Sequence, residues 1–208
     1  MSLNIMGAIA VLVSYFIGNI SPAILLGKIY GIEIKKEGSG NAGTTNVLRV
    51  IGKKAAALTL AVDILKGVAV VLLARHFCGL EIALLCGLAV FMGHIWPAVF
   101  DFKGGKGVAT AFGVLVTIHP LLGGIALAIV LVIVAITKRV SAGSIVGALF
   151  IPLLAYLLTP DGIAQWIFVL WATTFAAIVI IKHRANLVRL LKGQEPKLSF
   201  KKKEPKNE

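Results

Sequence analysis

Long apolar runs separated by short polar clusters repeat along the chain as far as about residue 182. A membrane-spanning helix needs about 20 apolar residues. The runs predict spans near 4–29, 55–75, 80–100, 107–118, 120–137, 141–158 and 163–182. The fourth is short, rising only about 18 Å as helix against a hydrocarbon core of about 30 Å. Joined to the fifth it would rise about 46 Å, too long for one crossing. His119-Pro120 and Gly123-Gly124 supply a break between the two. A short span thins the bilayer locally or ends within the protein, and either lets neighbouring loops dip below the headgroups. The pattern predicts an all-α polytopic membrane protein with seven transmembrane helices.

Composition agrees with this. The 208 residues are 58% hydrophobic, above the roughly 45–50% of a soluble domain. Most of the chain is taken up by spans, so the expected organisation is one membrane-embedded domain, 1–193, and a basic, flexible cytoplasmic tail, 194–208. Met1-Ser2-Leu3-Asn4 carries no positive stretch ahead of the apolar run, which predicts a retained first span rather than a cleaved signal. Cys78 and Cys86 are expected on one helix, too far apart for a disulfide, and serve as apolar fillers.

Charge orients the chain. With seven spans, every Lys and Arg except Lys66 and Arg75 falls on one side, the basic tail included. Positive residues stay inside, so the N-terminus is expected in the periplasm and the C-terminus in the cytoplasm. With six spans the tail would lie outside. This placement accounts for the net charge of +12 with no nucleic-acid partner. Lys201-Lys202-Lys203 fits both an attraction to anionic membrane lipids, about 1 kcal/mol per residue, and a solvated tail. Asp63 and Lys66 are charges at membrane depth. At i, i+3 they read best as a self-contained ion pair bracing the bundle.

Three polar clusters face the cytoplasm in this topology. The first, Gly38-Ser39-Gly40-Asn41-Ala42-Gly43-Thr44-Thr45-Asn46-Val47-Leu48-Arg49, alternates glycines with hydroxyls and amides. Glycine lets backbone approach a ligand closely. Successive amides can form an anion nest, and Arg49 can grip a phosphate through two hydrogen bonds. The second runs from Gly93-His94 to Lys103-Gly104-Gly105-Lys106-Gly107-Val108-Ala109-Thr110. Glycines and lysines leading into a helix N-terminus suit a phosphate, although the nucleotide P-loop spacing is absent. His94 fits a buried structural histidine and a site histidine equally. The third, Lys182-His183-Arg184-Ala185-Asn186-Leu187-Val188-Arg189, continues from the last span as an interfacial helix. His183 and Asn186 share a face there; a charged anchor without chemistry fits it equally. Together these clusters offer cations and neutral donors with few free carboxylates, as phosphate-bearing substrates require. No metal-ligand set and no nucleophilic triad can be assigned, and no cofactor is expected.

The clusters resemble the signature motifs of the bacterial membrane glycerol-3-phosphate acyltransferases that use acyl phosphate. The runs are SGNAGTTNVLR at 39–49, GHIWPAVFDFKGGKGVAT at 93–110 and KHRANLVRLLKG at 182–193, together with GNISPA in the first span and the Asp63–Lys66 pair. The resemblance implies transfer of a long-chain acyl group from acyl phosphate to the 1-hydroxyl of sn-glycerol 3-phosphate. Lysophosphatidic acid and phosphate are the products, in phospholipid biosynthesis. It implies an inner-membrane enzyme with a cytoplasmic active site and a functional link to a soluble enzyme that makes acyl phosphate. Ser39, Arg49, Lys106, His183 and Asn186 are the expected catalytic residues. Gly38, Gly40, Asn41, Gly43, Thr44, Thr45, Asn46, His94, Lys103, Gly104, Gly105, Gly107, Thr110, Arg184 and Arg189 are the expected substrate contacts. The rival class is a phosphate or organophosphate transporter, but each motif occurs once, without the internal repeat such folds show.

Overall fold

The structure, a computed structural model, describes residues 5–198. All regular elements among them are helical. They are α1 (Ile5–Gly18), α2 (Pro22–Ile29), α3 (Thr44–Val50), α4 (Lys53–Cys78), α5 (Leu80–Ile95), a 3-10 turn at Ala98–Phe100, α6 (Val108–Ile118), α7 (Pro120–Thr137), α8 (Val140–Leu157), α9 (Gln165–Lys182) and α10 (Arg184–Leu191). Six stretches are long and apolar enough to cross a membrane: Ile5–Ile29, α4, Leu80–Phe100, α7, α8 and α9. The 11-residue α6 is apolar but shorter. Cys78 closes α4 and Cys86 lies in α5, so they do not share the one helix expected; Gly79, at φ +83°, separates them. Both are free.

The first run is not one continuous helix. It breaks at residues 19–21, before Pro22. In an unbroken helix Gly18 O would accept from the amide of residue 22, and proline has none. Pro22 is instead tolerated in the first turn of α2. Two carbonyls freed by the break, Gly18 O and Ile20 O, accept from Lys66 Nζ at 3.2 and 2.8 Å. The Asp63–Lys66 pair, 2.8 Å apart, is therefore not self-contained. It holds the break in the first span against α4.

Small residues bring helices close, as expected where lipid supplies no hydrophobic drive to associate. A Cβ on Gly93 of α5 would fall on Tyr15 O of α1, and one on Gly18 would fall on Val90 O. A Cβ on Gly67 of α4 would meet Thr110 O of α6 at 2.7 Å. Aromatic rings fill the centre between α5 and α9: Phe91 stacks on Phe175 at 4.5 Å, beside Trp171. The indole N–H of Trp171 donates to Leu84 O at 2.8 Å.

The basic loops meet at one end of the bundle. Lys182 lies 5.5 Å over the Trp96 ring, and Arg139 Nε donates to Glu195 O at 3.0 Å. Leu198 N donates to Lys138 O at 2.6 Å, and the Glu195 side chain is buried. Residues 194–198, expected to begin a flexible tail, are thus packed onto the domain by these bonds. Residues 199–208, with Lys201-Lys202-Lys203, lie outside the described residues.

Candidate active site

The first polar loop is organised around one buried amide. Asn46 Oδ1 accepts from Ser39 N at 2.8 Å. Its Nδ2 donates to Ile34 O at 3.1 Å and to Glu37 O at 3.0 Å. These bonds fold 34–39 back over α3 and set the position of Ser39. Gly38 stands at φ +62° with its Cα against Asn46 Oδ1, where a Cβ does not fit.

The second loop hangs on the end of α5. Gly104 N donates to Ile95 O at 3.1 Å, and Gly105 N to His94 O at 3.2 Å. These two amides were expected to face a phosphate; they are engaged in the fold instead. The glycines are required by closeness: a Cβ on Gly104 would meet His94 O, and one on Gly105 would meet His94 Nε2. Gly107, at φ +81°, then turns the chain into α6. The first-turn amides of a helix have no intrahelical partner, and here Gly107, Val108 and Ala109 line a cavity.

The third cluster bends rather than continuing α9. His183 caps α9 and starts α10. Its Nδ1 lies 2.8 Å from Val179 O. A carbonyl can only accept, so Nδ1 carries the proton and Nε2 keeps its lone pair. Burial pushes the His183 imidazole down to about 4, and the nearby Lys106 ammonium adds to this. The ring is neutral at pH 7. Lys106 donates to Asn186 Oδ1. Burial also lowers the Lys106 amine, to about 8, with the Glu195 carboxylate opposing and Arg189 and Arg49 adding.

Glu195 completes the end wall. Its Oε1 accepts from Ser141 Oγ at 2.7 Å and Asn186 Nδ2 at 2.6 Å; its Oε2 accepts from Arg189 Nε at 2.7 Å. Burial would raise the carboxyl, but these bonds outweigh it and hold the group below the usual range.

Two adjoining cavities result. The larger, about 610 Å³, is polar at one end, where Ser39, Arg49, Lys106, His183 and Asn186 meet. Leu60 and Ile64 of α4, Phe112 of α6 and Leu127 and Val130 of α7 supply aliphatic and aromatic wall, and Asp63, Ser141, Ser144 and Glu195 also line the cavity. Asn41, Gly43, Thr44, Thr45, Asn46 and His94 also line it. The smaller, about 210 Å³, is lined by Ser39, Gly40, Asn41, Lys106, Lys182, Ala185, Asn186 and Arg189. Among the described residues, no group of three or more His, Cys, Asp and Glu is placed to hold a metal ion.

The sequence profile of the glycerol-3-phosphate acyltransferases matches residues 8–193. The chain belongs to this family. It is 46% identical over 191 residues to the glycerol-3-phosphate acyltransferase of Thermoanaerobacter pseudethanolicus, covering 91% of this chain and 94% of that protein. It is 44% identical over 201 residues to that of Clostridioides difficile, covering 93% and 96%. Its fold is similar to the crystal structure of PlsY (YgiH), an integral membrane glycerol 3-phosphate acyltransferase, in its glycerol 3-phosphate form. The TM-score is 0.86 at 33% identity, over 93% of this chain and 96% of that one. The lysophosphatidic acid form of PlsY gives 0.82, covering 94% and 96%. The chain is a multi-span integral membrane acyltransferase.

Within this family enzyme, six expected contacts lie outside both cavities. Lys103 and Arg184 are exposed. Their charge marked them in the sequence, but charge does not tell which way a side chain points. Gly38, Gly104 and Gly105 shape the backbone. Thr110 is fully buried, where α6 meets α4. Glu195 was missed, because one acid in a basic tail reads as a solvated charge. Its signal was its place two residues beyond Gly193, within reach of α10.

Proposed function

We propose that the chain transfers a long-chain acyl group from acyl phosphate to the 1-hydroxyl of sn-glycerol 3-phosphate, giving 1-acyl-glycerol 3-phosphate and inorganic phosphate. One observation carries this. A cavity with a cationic end and apolar walls shares Ser39, Asn41, Lys106 and Asn186 with a second, smaller pocket bearing Lys182 and Arg189. The first suits a fatty chain ending in a phosphate; the second suits a small phosphorylated polyol. The shared wall brings the two reacting groups together.

The reaction follows from these groups. The hydroxyl oxygen attacks the acyl carbon, and the bond from that carbon to the phosphate oxygen breaks. Acyl phosphate has a good leaving group, so positioning and charge stabilisation carry most of the catalysis. Arg49 and Lys106 hold phosphate oxygens. The His183 Nε2 lone pair accepts a hydrogen bond from the hydroxyl and orients it. With a conjugate acid near 4, His183 is too weak a base to keep the proton, which passes to the departing phosphate.

We place the enzyme in the cell inner membrane with seven spans, α6 included, the N-terminus periplasmic and the site cytoplasmic. The basic clusters at one end of the bundle and the positive-inside rule support this. A soluble enzyme making acyl phosphate would deliver donor to that face. No family or structural likeness favours the transporter reading. A donor panel tests the proposal: purified protein and glycerol 3-phosphate with acyl phosphate, acyl-CoA or acyl carrier protein thioester. Transfer from acyl phosphate is expected, and transfer only from a thioester would refute it.

A further inference from the structure

His94 has a role that the loops around Arg49 and Lys106 do not cover. Its side chain is only 5% exposed, and both it and Asp63 line the larger cavity. Its Nδ1 lies 2.8 Å from Lys66 Nζ and 3.2 Å from Asp63 Oδ1. Lys66 Nζ is itself 2.8 Å from that carboxylate oxygen. An ammonium has only donors. Lys66 Nζ is the nearer neighbour and can only donate, so Nδ1 is assigned as its acceptor; an Nδ1–H donating to Asp63 Oδ1 is the competing tautomer, which the spectrum below separates. The proton of the neutral ring then sits on Nε2. Among the described residues Nε2 has no hydrogen-bond partner. It lies against Gly105, where a Cβ would reach it. His94 lines the larger cavity, so an Nε2–H is available there to a ligand acceptor.

We infer that His94 donates its Nε2–H to the carbonyl oxygen of the acyl donor, stabilising the negative charge that develops there, and that Lys66 is the positioning residue that fixes this tautomer. The carbonyl is chosen over a phosphate for two reasons. The Asp63 carboxylate beside the ring disfavours a second full anion, while Lys66 balances it against a partial one. Leu60 and Ile64, neighbours of Asp63 on α4, put aliphatic wall next to the ring. The carbonyl of an acyl phosphate sits at this junction of charged head and apolar chain. The inference rests on the acyl-phosphate reaction proposed above.

The test compares wild type, His94→Gln and His94→Asn as full-length proteins in one acyl phosphate assay. The Gln amide can reproduce the Nε2 donor; the shorter Asn amide reaches only the Nδ1 position. His94→Asn is expected to lose about 100-fold in kcat, the usual loss for one such donor, with KM for glycerol 3-phosphate little changed. His94→Gln is expected to regain at least about tenfold of that. In parallel, 15N-histidine NMR of the wild type should show His94 protonated at Nε2, the signal being assigned by its absence in His94→Gln. That spectrum and the Gln variant decide the matter even where His94→Asn fails to fold. Equal losses in both variants, near-normal kcat in His94→Asn, or a proton on Nδ1 each overturn the inference while leaving the reaction standing. A wild type inactive on acyl phosphate overturns the reaction, and this role with it.

Discussion

Lys106→Met should separate stability from activity. The Lys106 amine is lowered from 10.5 to about 8, chiefly by burial. At about 1.36 kcal/mol per pKa unit, keeping it charged in the folded protein costs about 3 kcal/mol. The hydrogen bond to Asn186 Oδ1 returns about 1–2 kcal/mol of that when it is lost in the variant. The sign follows from linkage. Between about 8 and 10.5 the unfolded chain holds a proton that the folded one has released, so wild-type stability rises with pH across that window. At pH 7 Lys106→Met should therefore be more stable than wild type by about 1–2 kcal/mol, and the gain should vanish as pH approaches 10. Its kcat/KM should fall at least about tenfold, because a charge-assisted contact to phosphate is worth about 1.5–3 kcal/mol. Unfolding in mixed detergent micelles at pH 7 and pH 10, beside the acyltransferase assay, reads both effects. A variant less stable than wild type at pH 7, or one with undiminished kcat/KM, would refute the reasoning.

Further consequences follow from the same geometry. Wild-type kcat/KM should decline as pH rises through about 8, where the free enzyme loses the Lys106 ammonium. It should show no acidic limb from His183 between pH 5 and 7, since that ring titrates near 4. A pH–rate profile checks both. Glu195→Ala removes the acceptor for Ser141, Asn186 and Arg189 and should cost about 3 kcal/mol of stability, the low end for breaking a buried pair because Arg189 is partly exposed. Gly105→Ala would place a methyl on His94 Nε2 and Ala42 O; the loop must shift to admit it, so both kcat and the melting temperature should fall. Leu127→Trp narrows the apolar part of the larger cavity and should shift preference toward shorter acyl chains in a chain-length series.

Hydropathy alone located the membrane helices to within a few residues, because a bilayer demands long apolar runs whatever the tertiary packing. It did not show the break at 19–21, since Asn19 and Ser21 sit inside an apolar run and Pro22 was the only mark. The partners of Lys66 were illegible for a different reason. Gly18 and Ile20 lie 46–48 residues away, and only folding brings their carbonyls to the ammonium. Arg49, Lys106, His183 and Asn186 stood out as polar groups beside membrane spans and do line the larger cavity. Lys103 and Arg184 carried the same signal but point to solvent. Asn46 looked like a substrate contact, yet its amide is bonded to Ser39 N, Ile34 O and Glu37 O, so it builds the loop as well as lining the site.

The most direct measurement is product stoichiometry with acyl phosphate and glycerol 3-phosphate as the only substrates. One lysophosphatidic acid per phosphate released, formed only when both substrates are present and lost in Arg49→Ala, is the predicted result. Phosphate released without an acylated product, or product formed at an unchanged rate by Arg49→Ala, would contradict acyl transfer at the shared wall of the two cavities.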